Sequence, residues 1–252
     1  MAFQKIQDFV LEIAKGNIAK HSLITKFGYN STINTSTLPE DLWDTGGVFV
    51  SPTVARIHNI TSSSTSDTSA GIGARTILIR GIDGSYNAAS ETIIMNGTAN
   101  VATVNSYVHI HLMQVLTGGS SAANVGTITA TAQTDSTVTC SMTIGYNQSA
   151  SSIYFVPTGY KAYVMRARAR INNAIANSSA TVQILNKPFG GVFQLKTQMG
   201  LNNAGSSFVE LDYTGSSPFI LQGKSIIKLS CLNVSNNSTS IEGEYDLILV
   251  QD

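Results

Sequence analysis

Apolar and polar residues alternate along most of the chain, from Val48 to the C-terminal end. Successive side chains of a β-strand point to opposite faces of a sheet, so a period of two predicts strands with one buried face. Gly, Asn, Asp and Pro residues separate the alternating runs and predict turns between them. The predicted strands cover residues 54–60, 75–82, 92–95, 107–116, 127–133, 138–144, 160–171, 181–185, 208–213, 226–234 and 244–250.

The N-terminal residues follow a different period, that of a helix. This spacing predicts one helix over residues 3–15, which Gly16 and Asn17 end. A helix of about 13 residues is marginal alone in water, so we expect its apolar face to dock on the rest of the chain or on a partner. Residues 17–47 have little periodicity and predict an extended arm. The apolar face of the helix consists of Phe3, Ile6, Phe9, Val10 and Ile13.

Many short strands with hardly any helix predict an all-β protein of β-sandwich or jelly-roll type. The length of 252 residues accommodates one large β domain or two of ordinary size. We predict an N-terminal helix and anchoring arm at residues 1–47, a first β-sandwich unit at residues 48–135, and a second, jelly-roll-like unit at residues 136–252. No linker marks the second boundary.

Charge and composition narrow the class of protein. The chain has 15 Lys and Arg residues against 15 Asp and Glu residues, and 12% of its residues are charged, about half of the usual 25%. A chain without basic excess lacks the electrostatic footprint of a nucleic-acid-binding protein. No apolar segment approaches the roughly 20 residues that span a bilayer, which argues against membrane insertion. A polar surface with zero net charge suits a protein that assembles.

The residue types that could carry chemistry are few. Cys140 and Cys231 have neither disulfide-framework nor zinc spacing, and we expect two thiols packed inside strands. His109 and His111 share one face of a strand and could begin a metal site, with a third ligand from His58 or a distant carboxylate. We expect ring tips facing solvent instead. The chain is therefore predicted to be no enzyme, with no catalytic residue, no cofactor and no metal ion.

The most informative pattern is a set of charged ladders. Alternation places three arginines on one face of residues 160–171, and three acids on one face of the last strand, with two further acids on residues 208–213. Opposite charges on facing strands stabilise each other by roughly 0.2–1 kcal/mol per pair. Either the ladders pair within the chain, or the basic ladder of one subunit meets the acidic ladder of the next. The ladders are Arg166, Arg168 and Arg170; Glu242, Glu244 and Asp246; and Glu210 and Asp212.

Several stretches resemble a group of tailed-bacteriophage virion proteins, frequent among phages of marine and other environmental bacteria. The resemblance implies a late structural component of a phage particle, with an all-β body, an N-terminal anchoring segment and many copies. None of its motifs is catalytic, and they do not distinguish head, neck and tail. The likeness is best over Gly16-Asn17-Ile18, His21-Ser22-Leu23, Lys26-Phe27-Gly28, Asp41-Leu42-Trp43-Asp44 and Gly46-Gly47, and continues in Gly73-Ala74-Arg75, Gly81-Ile82-Asp83, Glu91-Thr92-Ile93 and Val156-Pro157-Thr158-Gly159-Tyr160.

Together these observations predict a non-enzymatic virion protein, made in the host cytoplasm, that self-associates and docks on other capsid or tail proteins. The alternative is a receptor- or carbohydrate-binding module of a head or tail fibre, which would contact host surface glycan through loops such as 61–70 and 145–153. A hydrolase is a third candidate. We predict an interface made of the helix residues Phe3, Ile6, Phe9 and Ile13, the indole of Trp43, and the ladders Arg166, Arg168, Arg170, Glu242, Glu244 and Asp246.

Overall fold

A computed structural model describes residues 9–52, 54–172, 177–203, 208–213 and 219–252. These residues form a short helix followed by a long series of strands, with coil and turns between them. The elements are α1 (Phe9–Ala14), β1 (His21–Ile33), β2 (Glu40–Asp41), β3 (His58–Ser62), β4 (Ala74–Asp83), β5 (Ala88–Ile94), β6 (Val101–Ala102), β7 (Tyr107–Gly118), β8 (Ile128–Ala132), β9 (Val138–Met142), β10 (Tyr154–Phe155), β11 (Tyr160–Asn172), β12 (Ser179–Lys187), β13 (Gln194–Asn202), β14 (Phe208–Asp212), β15 (Ile220–Leu221), β16 (Ile226–Val234) and β17 (Thr239–Gln251).

Both ends of the chain build one β-sandwich, which we call the terminal sandwich. Its first sheet has the order β1-β17-β11-β14, with β15 also paired to β11, and its second sheet has the order β10-β16-β12-β13, with β2 paired to β16. Buried side chains of the two sheets form one continuous core, which includes Val164, Leu247, Val182 and Leu229. Alternation along β12 is complete, since every second residue is buried.

The chain between β2 and β10 forms a second β-sandwich, the inserted sandwich. One sheet has the order β6-β3-β8-β9 and the other has the order β5-β4-β7. Its core contains Ile60, Ile77, Met113, Ile128 and Cys140, all buried. The branched and sulfur-containing side chains fill the space between the two sheets, as the period-two pattern of these strands requires.

A third apolar cluster joins the two sandwiches. Trp43 and Phe49 come from the segment that leaves the terminal sandwich after β2, and Val108 comes from β7 of the inserted sandwich. Phe155 and Ile226 come from β10 and β16 of the terminal sandwich. The Trp43 and Phe49 rings meet edge to face with their centroids 5.5 Å apart. This joint is buried apolar packing, so the two sandwiches form one body.

The all-β prediction is confirmed, with a short helix near the N-terminal end and antiparallel pairing throughout the described sheets. Each predicted strand overlaps a strand of the structure. Two longer strands, β1 and β13, were not predicted, because neither sequence alternates strictly between apolar and polar residues. The short strands β2, β6, β10 and β15 have only two residues each, too few to show a period.

Two of the predicted boundaries differ from the sheet connectivity. Residues 17–47 were expected to be an extended arm, but His21–Ile33 within them form β1, which pairs with β17 along most of its length. The predicted boundary between residues 135 and 136 separates β9 from its partner, since β9 pairs with β8 inside the inserted sandwich. Pairing of β1 with a strand more than two hundred residues away decides the first case, and the β8–β9 hairpin decides the second. A period of two reports which side of a strand is apolar but does not report its partner.

The helix is shorter in the structure than residues 3–15, since α1 covers Phe9–Ala14. Phe3 and Ile6 lie outside the described residues. Ile13 is buried, whereas Phe9 and Leu11 are about half exposed. The edge of the Phe9 ring contacts His21, with the ring centroids 5.9 Å apart. Among the helices of the described part of the chain, none has the length and apolar character to cross a membrane.

Candidate functional site

The charged ladders lie in three rows across four strands on the outer side of the first sheet of the terminal sandwich. We call this surface the charged face. Each row takes one residue from β1, β17, β11 and β14 in turn. The rows are Thr25, Asp246, Arg166 and Asp212; Phe27, Glu244, Arg168 and Glu210; and Tyr29, Glu242, Arg170 and Phe208.

The ladders pair within the chain. Arg166 donates to Asp246 Oδ2 from Nε at 3.0 Å and from Nη2 at 2.6 Å. Arg168 forms an ion pair with Glu244 and lies 3.7 Å from Glu210. Arg170 lies 3.7 Å from Glu242, at the edge of ion-pair range. The structure therefore favours the first of the two alternatives, because each arginine has its counter-charge on a neighbouring strand.

Aromatic side chains stand at the two edges of the charged face, with Phe27 on β1 in the second row and Phe208 on β14 in the third row. Phe27 is 41% exposed and Phe208 is 46% exposed. A cavity of about 210 Å³ lies between these two rings, floored by the ion-paired residues. The three arginines face five carboxylates across the rows, so the face carries net negative charge. Both rings line the cavity, so exposed apolar surface borders the ion pairs of the charged face.

Trp43 does not reach the surface. Its ring is 4% exposed, and it packs in the joint between the two sandwiches. Its Nε1 donates a hydrogen bond to the Gly47 carbonyl oxygen at 3.2 Å. The predicted role of Trp43 as an anchor for a neighbouring protein is therefore corrected: the indole stabilises its own chain. A turn rich in glycine lets the residues after Trp43 fold back over it, with Gly46 and Gly47 both at positive φ.

His109 and His111 also face the interior, contrary to the expectation of ring tips in solvent. His109 is fully buried and stacks on Phe155 with the ring centroids 4.5 Å apart. The edge of the His111 ring meets Tyr154, with the ring centroids 5.2 Å apart. The buried Lys26 ammonium donates to the His111 carbonyl oxygen at 2.6 Å. These groups lie where β1 of the terminal sandwich meets β7 of the inserted sandwich. We call this region, with Lys26, His109 and His111, the junction.

Burial shifts the pKa of each ionisable group at this junction. It lowers the pKa of Lys26 to about 8. It lowers the pKa of His109 to about 3, helped by the nearby Lys26 charge. It raises the pKa of Asp44 to about 7, against the effect of the Ala150 N–H, which donates to Asp44 Oδ2 at 2.6 Å. Desolvation disfavours the charged form in every case.

The segment after β2, which carries Trp43 and Phe49 and leads into the inserted sandwich, is called the connecting segment. A buried ion pair holds its start to the terminal sandwich. Lys228 Nζ lies 2.6 Å from Asp41 Oδ2, and the two side chains are 4% and 0% exposed. The Phe49 N–H donates to the same carboxylate oxygen at 2.8 Å. The sequence analysis did not predict this pair, since Lys228 and Asp41 lie 187 residues apart and no local pattern joins them. The pair positions Phe49 for the joint.

No group of three or more His, Cys, Asp or Glu side chains in the described residues could hold a metal ion. Cys140 and Cys231 are both buried and free, as expected of thiols packed inside strands. Burial raises the pKa of Cys140 to about 11 and that of Cys231 to about 12. A thiol with so high a pKa is protonated at neutral pH and is a weak nucleophile.

The loops considered for glycan contact are largely tied down. Within residues 61–70, the buried Asp67 accepts hydrogen bonds from the N–H groups of Ala74, Val125 and Gly126. Within residues 145–153, the side chains from 149 onward are buried. Tyr146 is exposed and lies beside Tyr29 in a cleft of about 480 Å³. Buried side chains and hydrogen bonds in both loops therefore stabilise the inserted sandwich and its surroundings.

The largest cavity described lies at the other side of the joint, where the β12–β13 connection approaches the inserted sandwich. It has a volume of about 570 Å³. Its floor consists of Phe49, Phe155 and Val108 from the joint, and its rim carries two lysines and three further aromatic rings. We call it the lysine pocket. The rim residues are Lys187, Lys224, Tyr86, Phe189 and Phe193.

Fold and surfaces define an all-β protein of two joined sandwiches with a charged face and a lysine pocket. No protein-family model matches the chain. No curated protein matches it either. Among solved structures, the VP2 subviral particle of infectious bursal disease virus covers 92% of this chain and 72% of its own, with 9% identity and a TM-score of 0.25.

Two further structures of that virus align in the same way. The structure of its Gx strain covers 92% of this chain and 82% of its own, at 8% identity and a TM-score of 0.14. The T=1 particles derived from it cover 92% and 79%, at 9% identity and a TM-score of 0.14. These scores are too low to indicate a shared fold.

Proposed function

We propose that this chain is a non-enzymatic structural component of a virus particle, present in many copies and held by contacts with itself and with other virion proteins. The resemblance of residues 16–47 to tailed-bacteriophage virion proteins directs the proposal to a phage particle, as an accessory protein of the capsid or tail. The protein would be made in the host cytoplasm and act in the virion.

The observation that carries the proposal is the charged face. Its ion pairs satisfy most of its charge within the chain, while Phe27 and Phe208 remain exposed on either side. Covering such a face removes apolar area from water, and paired charges are cheaper to desolvate than isolated ones. Aromatic rings that a partner buries are typical anchors of protein interfaces.

The two-sandwich body supports the same role. The joint cluster and the buried Lys228–Asp41 pair hold both sandwiches as one rigid piece. A rigid body presents its outer face without the entropy cost of ordering loops on binding. The helix α1 lies beside the charged face, where Val10 and Arg166 line one cleft. We propose that α1 and the charged face contact the same neighbour.

A double variant tests the proposal, with Phe27→Ser and Phe208→Ser together. Light scattering after size-exclusion chromatography should show a smaller oligomer than the wild type, and complementation of a particle should show reduced incorporation. The matched control is Ile94→Ser on β5, whose side chain is 61% exposed on the inserted sandwich. Unchanged oligomer size and incorporation in the double variant would refute the proposal.

A second candidate function, glycan binding, is favoured by one specific observation, the composition of the lysine pocket. The pocket combines aromatic rings with ammonium groups in a cavity of ligand size. It lies apart from the loops for which glycan contact was considered.

A further inference from the structure

The ammonium groups of the lysine pocket are held by aromatic rings. Lys224 Nζ lies 5.5 Å from the centre of the Tyr86 ring and 5.1 Å from the centre of the Phe189 ring. Lys187 Nζ lies 5.9 Å from the centre of the Phe193 ring. A cation near an aromatic face is attracted by the ring quadrupole, which leaves the N–H donors free to bind a further group.

The pocket has positive charge without a counter-charge in its lining. No Asp or Glu is among the described residues that line it. The ion pairs found in the described part of the chain include neither Lys187 nor Lys224. In contrast, the nearby Lys228 is neutralised by Asp41 at 2.6 Å. The two rim lysines therefore present an electrostatic complement to an anion.

Backbone strain shapes the rim. Tyr86 and Lys224 have φ values of 65° and 66°, in the left-handed region. Non-glycine residues rarely adopt this region, and a bulky side chain there is an outlier. Neighbouring hydrogen bonds hold both residues, since the Thr158 N–H donates to the Tyr86 carbonyl and the Lys224 N–H donates to the Val156 carbonyl, each at 2.8 Å. These hydrogen bonds fix the position of both rim residues.

We propose that the lysine pocket binds a carboxylate-bearing sugar of a polysaccharide. The carboxylate lies between the ammonium groups of Lys187 and Lys224, and the apolar face of the sugar ring packs on Phe189. The volume of about 570 Å³ is within the range of about 300–1,000 Å³ for small-molecule sites.

A sugar fits this lining better than a purely apolar acid does. The lining combines aromatic rings with Gly190, Gly191 and Ser51, which have small or no side chains and polar backbone groups. A sugar ring likewise has apolar faces and a rim of hydroxyl groups. This inference rests on the glycan-binding candidate proposed above and names its ligand class. It is independent of the structural role, because a virion component can assemble without binding any glycan.

Titration calorimetry with trimers of galacturonate, mannuronate and guluronate tests the proposal, using the full chain. At least one trimer should bind the wild type at least tenfold more tightly than its methyl ester, which has the same rings without the charge. The double variant Lys187→Gln with Lys224→Gln should lose that difference. Binding of the acid should also weaken as salt is added, because partly exposed charges are screened.

Three controls make the outcome decisive. Lys196→Gln removes an exposed lysine of β13 outside the pocket and should bind as the wild type does. Phe189→Ala should weaken the binding of acid and ester alike. A glutamate tripeptide should bind at least tenfold more weakly than the best sugar. Equal affinity for acid and ester, no binding of any trimer at millimolar concentration, equal binding of the tripeptide, or the same loss in Lys196→Gln would each overturn the proposal.

Discussion

At the scale of single residues, burial decides what a charged or ionisable side chain does in this protein. The Arg166–Asp246 pair is partly exposed and makes an ordinary surface contact. The Lys228–Asp41 pair also joins a cation to an aspartate, but its side chains have almost no exposure. A buried pair is sensitive to the loss of one partner, since the remaining charge then has neither water nor counter-charge.

Replacing Lys228 by methionine should lower the free energy of unfolding by about 3–5 kcal/mol, because the Asp41 carboxylate stays buried without its partner. Chemical denaturation monitored by tryptophan fluorescence measures the loss. Lys161→Met is the matched control, since its partner Asp252 is 56% exposed and its removal should leave stability near the wild-type value. A loss no larger in Lys228→Met than in Lys161→Met would contradict the prediction.

Replacing His109 by leucine should make the free energy of unfolding depend less on pH in the acidic range. The pKa of His109 is lowered to about 3 in the folded chain by burial, against about 6.5 when unfolded. Below its ordinary pKa the unfolded chain binds a proton that the folded chain does not, so stability falls as the pH drops from about 6.5 towards 3.

Urea unfolding of the wild type and of His109→Leu, at pH values from about 7 to about 4, compares the two slopes. The variant should lose less stability over that range. Identical slopes would show that His109 does not take part in the acid response. The neighbouring His111 has its pKa lowered by the same burial, so part of the slope should remain in the variant.

At the scale of elements, β1 is the strand whose structure differs most from its sequence prediction. It crosses the connecting segment closely at Gly28, which pairs with Gly243 of β17. A Cβ atom at Gly28 would lie 2.6 Å from the Ser152 side chain and closer still to the Leu42 carbonyl oxygen. The sequence motif Lys26-Phe27-Gly28 therefore contains a glycine that close packing of backbone requires.

Replacing Gly28 by alanine should destabilise the protein by about 1–3 kcal/mol, through overpacking against rigid backbone. Gly200→Ala on β13 is the matched control, because a Cβ there would meet nothing within 4 Å. Thermal unfolding followed by circular dichroism compares the two variants. A midpoint for Gly28→Ala equal to that of Gly200→Ala would show that the chain relaxes around the methyl group.

Truncation separates the helix from the strand. Removing residues 1–44 takes away β1, Leu42 and Trp43, so we expect the remaining chain to be unfolded. If these residues were only an extended arm, the remaining chain would stay folded. Removing residues 1–17 deletes α1 and should preserve the β-sheet circular dichroism spectrum. The shorter truncation is therefore the variant with which to test particle attachment through the helix. A folded 1–44 truncation would contradict the structural role of β1.

At the scale of the whole molecule, the joint cluster decides whether the two sandwiches behave as one unit. Replacing the buried Trp43 by alanine should cost about 3–5 kcal/mol. Differential scanning calorimetry should show one transition for the wild type and a broadened or divided transition for the variant, because the sandwiches lose their shared core. Tyr146→Ala, at a ring that is 48% exposed, should leave the transition unchanged. A single unshifted transition in Trp43→Ala would contradict a stabilising joint.

Local pattern was sufficient to determine the class of fold and the surface chemistry of individual strands. Alternation reports which side of a strand is apolar, and this is a property of neighbouring residues. It therefore placed Arg166, Arg168 and Arg170 on one side of their strand and Glu242, Glu244 and Asp246 on one side of theirs, before any pairing was known. The short period of the signal is also why both ends of β16 were predicted correctly and both ends of β12 to within two residues.

Tertiary structure alone decided which residues meet. Strand pairing joins positions more than two hundred residues apart, such as His21 and Val250, and no local pattern encodes that partner. The burial of His109 and Trp43 and the gathering of Lys187, Lys224 and Tyr86 at one pocket depend on the same long-range pairing. The reason is physical: periodicity specifies a face, whereas what covers that face depends on the packing of the complete chain.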